Sequence, residues 1–171
     1  VRQELSAEMP GKLALASHVE TGVMIELPSA VSIIDLLMDE VDFVSIGSND
    51  LVQYMLAVDR MNAMVSRLYD PYHPAIIRTF RAIAEAARQA MKPVSVCGEL
   101  AADPDYLPIW IGLGITRLSM STHSILPLKR RIRGLAAGNC RSLMKELLAC
   151  KTSEEVRKRV HDFNVLIKTS R

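Results

Sequence analysis

The sequence predicts an α/β fold on a parallel sheet, about four β/α units that form the C-terminal part of a (β/α)8 TIM barrel, with additional C-terminal helices. Three observations carry this. Short apolar, β-branched runs alternate with stretches of helical spacing, the pattern of strands joined by helical crossovers. Each of the four runs ends in polar or reactive residues, as strands do at the C-terminal face of a barrel. A complete barrel needs eight strands and about 250 residues, whereas this sequence has 171. Residues 1–171 are therefore expected to be the C-terminal portion of a longer protein.

Taken in order, residues 1–9 have the look of a helix end, closed by Pro10-Gly11. Residues 12–20 are a weakly marked connection holding His18. The first strand is expected over 22–27, stopped by Pro28, and an amphipathic helix over 29–40, from the spacing of Val31, Ile33, Ile34, Leu37 and Met38. The second strand, 42–48, carries Phe43, Val44 and Ile46 and breaks at Gly47; Leu51, Val52, Met55 and Leu56 are spaced for a short helix. A loop follows Arg60. Pro74 suits the first position of a helix whose apolar face runs through Ile76, Ile77, Phe80, Ile83, Ala84, Ala87 and Met91. The third strand covers 93–98, a short helix lies over 105–113 with Gly114 closing it, and the fourth strand covers 117–121. A helix then passes through Leu126, Leu128 and Ile132, its C-terminal cations Lys129, Arg130, Arg131 and Arg133 opposing the negative end of the dipole. Another helix is expected over 139–150, and Thr152-Ser-Glu-Glu155 reads as a capping box before the last one. Lys168 to Arg171 are expected to fray.

Composition is that of an ordinary globular protein, 49% hydrophobic and 23% charged, with a net charge of +2. So small a positive balance makes no case for nucleic acid or a membrane surface. No apolar run reaches the roughly 18 residues of a membrane span. The three cysteines, Cys97, Cys140 and Cys150, are an odd number without metal-type spacing. They are read as reduced thiols in a cytoplasmic protein.

The strand ends supply the chemistry. Asp50 offers a hard oxygen to a cation, Asn49 a neutral amide, and Arg60 a planar fork for carboxylate or phosphate. Asn49 and Asp50 could equally cap the helix that follows them. Glu26 interrupts an apolar strand end, where an ionised carboxylate needs either a cation or a salt bridge. Cys97, before Gly98, either presents a thiol to a cleft or packs as a small hydrophobe. His18, His73 and His123 are read as a surface or packing residue, a residue just before a helix, and a loop residue.

Five motifs in order make a more specific statement: Gly22-Val-Met-Ile-Glu-Leu-Pro28, Ser45-Ile-Gly-Ser-Asn-Asp-Leu51, Ala57-Val-Asp-Arg-Met-Asn62, Tyr69-Asp-Pro-Tyr-His-Pro74 and Cys97-Gly-Glu99. Together they resemble the C-terminal domain of the phosphoenolpyruvate-utilising enzymes. Within these the wording is most similar to Enzyme I of the bacterial phosphotransferase system, the phosphoenolpyruvate–protein phosphotransferase family, and the tail beyond Val156 to its nitrogen-related branch. The resemblance implies that Glu26 and Asp50 bind Mg²⁺, that Asn49, Asp50 and Arg60 bind phosphoenolpyruvate, and that Cys97 protonates the enolate. Ser48 stands where the family often has threonine. An ordinary thiol, with a pKa of about 8.5, is protonated at neutral pH and can donate to carbon.

The resemblance also implies what this chain lacks. The family's phosphate-gripping arginines lie on earlier strands, and its phosphoryl-accepting histidine sits on a separate domain in a Thr-Ser-His context. None of His18, His73, His123 or His161 has that context. The expected partners are phosphoenolpyruvate and pyruvate, that phosphohistidine domain, a small phosphocarrier protein and a second copy in a homodimer. Alone, the chain is expected to bind substrate weakly, not to turn over, and to self-associate through exposed apolar sheet edge. Two other readings stay open: part of a pyruvate phosphate dikinase or phosphoenolpyruvate synthase, and a non-catalytic phosphoenolpyruvate-sensing or dimerisation module.

Overall fold

The computed structural model describes residues 19–169. The helix end expected over 1–9, its stop at Pro10-Gly11 and His18 lie outside them. Four strands form one parallel sheet: β1 (Gly22–Ile25), β2 (Phe43–Gly47), β3 (Val94–Cys97) and β4 (Arg117–Leu118). They lie side by side in chain order, β1-β2-β3-β4. All four expected strands are present, the fourth shortened to two residues.

The helices between and after them are α1 (Pro28–Ser32), α2 (Ile34–Glu40), α3 (Ser48–Leu56), α4 (Pro74–Gln89), α5 (Glu99–Ala102), α6 (Leu107–Gly112), α7 (Thr122–Ile132), α8 (Ala137–Ala149) and α9 (Ser153–Thr169). The single helix expected over 29–40 is broken at Ile33. Ser32 donates its hydroxyl back to the Pro28 carbonyl at 3.1 Å, the i−4 back-bond that competes with the helical ladder. The short α5 has no apolar period and was not expected. A 3₁₀ turn, Ser66–Leu68, lies in the segment after Arg60 read as a loop. Of the end expected to fray, Lys168 and Thr169 lie within the bounds of α9, and residues 170–171 lie outside the described residues.

Period-2 alternation decides what each sheet face meets. Ile25, Val44, Ile46 and Val96 are fully buried in the core formed with α4, whose Ile76, Ile77, Phe80 and Ile83 are fully buried too. The intervening residues form one row across all four strands, Met24 beside Ser45 beside Ser95 beside Arg117. Met24 and Arg117 are exposed and the two serines half-buried. The sheet is therefore apolar on one face and open on the other.

The helix ends follow from local chemistry. Pro74 occupies the first turn of α4, and His73 Nδ1 accepts the Ala75 N–H at 3.1 Å, so His73 is an N-cap, in keeping with its reading as a pre-helix residue. At α9 the Glu155 N–H donates to Thr152 Oγ1 at 3.2 Å. Glu155 Oε2 accepts the N–H of Lys151 at 2.7 Å, one residue earlier than a standard capping box. Of the α7 cations, Arg131 is not a plain solvated charge: it donates to the Asn164 side chain on α9.

Four aromatic rings pack where α4 meets α6. Phe80 and Trp110 have centroids 4.8 Å apart, and Tyr106 stands 5.1 Å from Trp110 and 5.3 Å from Tyr72. Tyr106 donates to the Pro71 carbonyl at 2.8 Å and Trp110 Nε1 to that of Leu100 at 2.9 Å, so their polar ends are satisfied. Burial pushes the Tyr106 phenol well above its usual range. Burial, helped by Asp103 and Asp105, pushes Tyr72 up to about 12. The folded protein thus keeps these phenol protons to higher pH than the unfolded chain, whose tyrosines titrate near 10. Stability is expected to be independent of these groups below pH 10 and to fall as pH rises from 10 towards 12. Denaturant midpoints taken at successive pH values check this; a midpoint constant from pH 9 to pH 11.5 refutes it.

Candidate active site

Two β–α corners stand side by side where β2 and β3 end. At the first, Gly47 is the last residue of β2 and Ser48, Asn49 and Asp50 form the opening turn of α3. None of their side chains caps the helix, so the capping alternative for Asn49 and Asp50 does not hold. At the second, Cys97 ends β3, Gly98 turns the chain and Glu99 opens α5.

Hydrogen bonds lock the corners together. Ser48 Oγ donates to the Cys97 carbonyl at 2.7 Å, and the Glu99 N–H donates to Asn49 Oδ1 at 3.0 Å. With its oxygen engaged by the backbone, the Asn49 amide keeps its two N–H donors for other partners. The approach is close because residue 98 is glycine. Its φ of 92° and ψ of −173° lie in a region that is essentially glycine-only. A Cβ there would stand 2.6 Å from Ser48 Oγ and 2.9 Å from Asn49 Oδ1.

Cys97 is half-buried, whereas Cys140 and Cys150 are buried. Burial pushes the thiols of those two upward. Cys97 Sγ donates to the Ile46 carbonyl at 3.5 Å and stands 3.9 Å from Ser45 Oγ, on the open face of the sheet. It lines a cleft of about 680 Å³ with Asn49, Glu99, Ser121 and His123. A larger cavity of about 700 Å³ lies away from the strand ends, among Arg133, Leu143, Arg159, Phe163 and Leu166. Of the candidate site residues, Asn49 and Cys97 line the former.

Arg60 reaches the same corner from beyond α3. Its backbone N–H donates to Gln53 Oε1 at 3.1 Å, and Nη1 meets Glu99 Oε1 at 3.2 Å. Tyr69 donates to the Asn49 carbonyl at 3.4 Å. Burial raises the Tyr69 phenol; Arg60 lowers it, while Glu99 and Asp50 raise it.

Glu26 follows β1 and folds over the end of β2, where Oε2 lies 3.1 Å from the position a Gly47 Cβ would take. Among the described residues, neither Glu26 nor Asp50 accepts a hydrogen bond or makes an ion pair, so the salt-bridge alternative for Glu26 finds no partner there. No group of three or more His, Cys, Asp or Glu among the described residues could hold a metal by itself. Two unengaged carboxylates fit a hard divalent cation that keeps several sites for water and substrate oxygens, as Mg²⁺ does.

Asn49 and Cys97 thus line the cleft together, and Arg60 joins them through its ion pair with the lining residue Glu99. Glu99, Tyr69, Ser121 and His123 were not anticipated at the site. His123 is in the first turn of α7 rather than a loop, with Nε2 3.1 Å from Ser121 Oγ. Its signal was available: it follows the fourth strand end as Glu99 follows the third.

Residues 1–137 match the family described as PEP-utilising enzyme, PEP-binding domain. The chain belongs to that family. The chain is similar to phosphoenolpyruvate-protein phosphotransferases: 46% identical over 143 residues to that of Bacillus subtilis strain 168, covering 84% of this chain and 25% of the relative. Against that of Staphylococcus carnosus strain TM300 it is 44% identical over 142 residues, 83% of this chain and 25% of the relative. The protein of Bacillus sp. strain S is 42% identical over 154 residues, 90% of this chain and 27% of the relative. The chain therefore spans about a quarter of the length of these relatives. No helix among its described residues is long and apolar enough to cross a membrane.

Proposed function

We propose that this chain is the phosphoenolpyruvate-binding part of a phosphotransferase that moves the phosphoryl group of phosphoenolpyruvate to a histidine on another domain, releasing pyruvate. A small phosphocarrier protein then takes the group from that histidine. The observation that carries the reading is the joining of the Ser48-Asn49 and Cys97-Gly98-Glu99 corners, with Arg60 drawn to the same edge.

Each side chain has one task. Arg60 and the free N–H donors of Asn49 bind the substrate's anionic oxygens. Glu26 and Asp50 would hold Mg²⁺, which would supply stabilisation of negative charge at the enol oxygen. When the bridging P–O bond breaks, the electron pair stays on that oxygen and leaves an enolate. Cys97 Sγ gives its proton to the methylene carbon, producing the pyruvate methyl group, and the thiolate regains a proton from solvent. In reverse, the thiolate removes a methyl proton.

Strand order 1-2-3-4 and a sheet open on one face support the reading as half of an eight-stranded barrel; the longer protein is read as cytoplasmic and homodimeric. The upstream half would add the missing phosphate-binding arginines.

The test is made on the protein that joins this chain to its upstream sequence. Phosphoenolpyruvate is expected to phosphorylate a histidine outside residues 1–171, with one pyruvate released per phosphoryl group. Removing Mg²⁺ with a chelator is expected to stop both, and re-adding it to restore them. Glu26→Gln is expected to raise the Mg²⁺ concentration needed for half-maximal rate at least about tenfold, the lower end of what even outer-shell changes cost. Pyruvate release that ignores the chelator, or an unmoved Mg²⁺ requirement, sinks the assignment.

A further inference from the structure

Glu99 has no task in the scheme above, yet it touches two residues that do. Its N–H fixes Asn49 Oδ1 at 3.0 Å, and its carboxylate meets the Arg60 guanidinium at 3.2 Å. It also lines the cleft beside Cys97. We propose that Glu99 is a positioning residue whose carboxylate occupies the Arg60 guanidinium in the absence of substrate and yields it to the substrate's anionic group. This rests on the reading of Arg60 as a phosphoenolpyruvate ligand.

The asymmetry of the pair says which partner moves. The Arg60 side chain is 31% exposed and that of Glu99 81%. Arg60 is anchored besides, its N–H bonded to Gln53 and its charge acting on the half-buried Tyr69 phenol. Glu99 has its backbone pinned by Asn49 while its carboxylate stands in water. An arriving carboxylate or phosphoryl group therefore displaces Glu99 rather than drawing Arg60 away. An ion pair this exposed is weak, so the exchange is easy in both directions. Held in this way, the guanidinium stays beside Glu99 at the rim of the cleft instead of sampling its many rotamers, and after turnover the returning carboxylate competes with pyruvate. No bond is made or broken; the step is an exchange of one anion for another on one cation.

The backbone bond to Asn49 survives a side-chain change, which makes the role separable. In the protein carrying the upstream sequence, Glu99→Gln keeps the side chain's size and removes its charge. KM for phosphoenolpyruvate is expected to fall about two- to fivefold, the factor that corresponds to an exposed ion pair. The inhibition constant of pyruvate is expected to fall by a similar factor, and Glu99→Asp to return both towards the parent values. An unchanged or raised KM in Glu99→Gln overturns the proposal. A raised KM accompanied by a lower melting temperature overturns it in favour of a merely structural role. The parent protein's own turnover separates the two levels: without Mg²⁺-dependent pyruvate release the proposed function fails, whereas normal parent turnover with an indifferent Glu99→Gln variant defeats only this inference.

Discussion

Cys97→Ala, made in the protein that carries the upstream sequence, is expected to slow catalysed enolpyruvate-to-pyruvate conversion by about 10²- to 10⁴-fold, the usual contribution of a placed general acid. The sharpest readout is exchange of the pyruvate methyl protons in deuterated water. It isolates proton transfer at carbon from phosphoryl transfer. Enolpyruvate that leaves the site can still tautomerise in solution, so total pyruvate understates the loss. The side chain is half-buried, and its donor contact, a long one of 3.5 Å to the Ile46 carbonyl, contributes little to the fold. The variant is therefore expected to keep its melting temperature. Cys97→Ser is the second arm: it preserves shape and the donor, but a hydroxyl holds its proton far more tightly than a thiol. If both variants exchange methyl protons at the parent rate, the acid is some other group and Cys97 has no part in the proton transfer.

Gly98→Ala is expected to damage both stability and activity, although residue 98 itself offers no functional group. The backbone conformation it requires costs a non-glycine residue on the order of 1–3 kcal/mol. The added methyl would also stand 2.6 Å from Ser48 Oγ and 2.9 Å from Asn49 Oδ1, so the two corners must part. Asn49 then loses the backbone donor that orients its amide. Expected together are a denaturant midpoint lowered by that energy and a KM for phosphoenolpyruvate raised at least about tenfold, since the loss of a bond to a charged group is worth about 1.5–3 kcal/mol. Gly114→Ala is the control, because φ there is also positive, at 81°, but nothing lies within 4 Å of the added atom. A Gly98→Ala protein that loses stability but binds substrate normally would show that the corner contact does not orient Asn49.

The strands were legible because their physics is local. Ile25, Val44, Ile46 and Val96 are β-branched residues in short runs, and all four are fully buried. Helix α4 was legible for the same reason, since Ile76, Ile77, Phe80 and Ile83 recur at helical spacing behind Pro74. What escaped was decided by contacts distant in sequence. Glu99 acquires its place from Arg60, 39 residues away, and from Asn49, 50 residues away. The break at Ile33 depends on one serine hydroxyl turning back on its own helix, which periodicity does not register. His123 was assigned to a loop because no partner was visible nearby; its place is set by where β4 ends, and β4 is only two residues long.

The bonds that unite the reactive corner, Ser48 to Cys97 and Asn49 to Glu99, are made wholly between two consecutive β–α turns. The place proposed for protonating carbon is thus a cassette, joined by bonds in which no strand before β2 takes part. Under the proposed function, upstream sequence could diverge in what it grips, and in which domain it delivers the phosphoryl group to, without retuning that cassette. Specificity and proton transfer are separately heritable in such an arrangement.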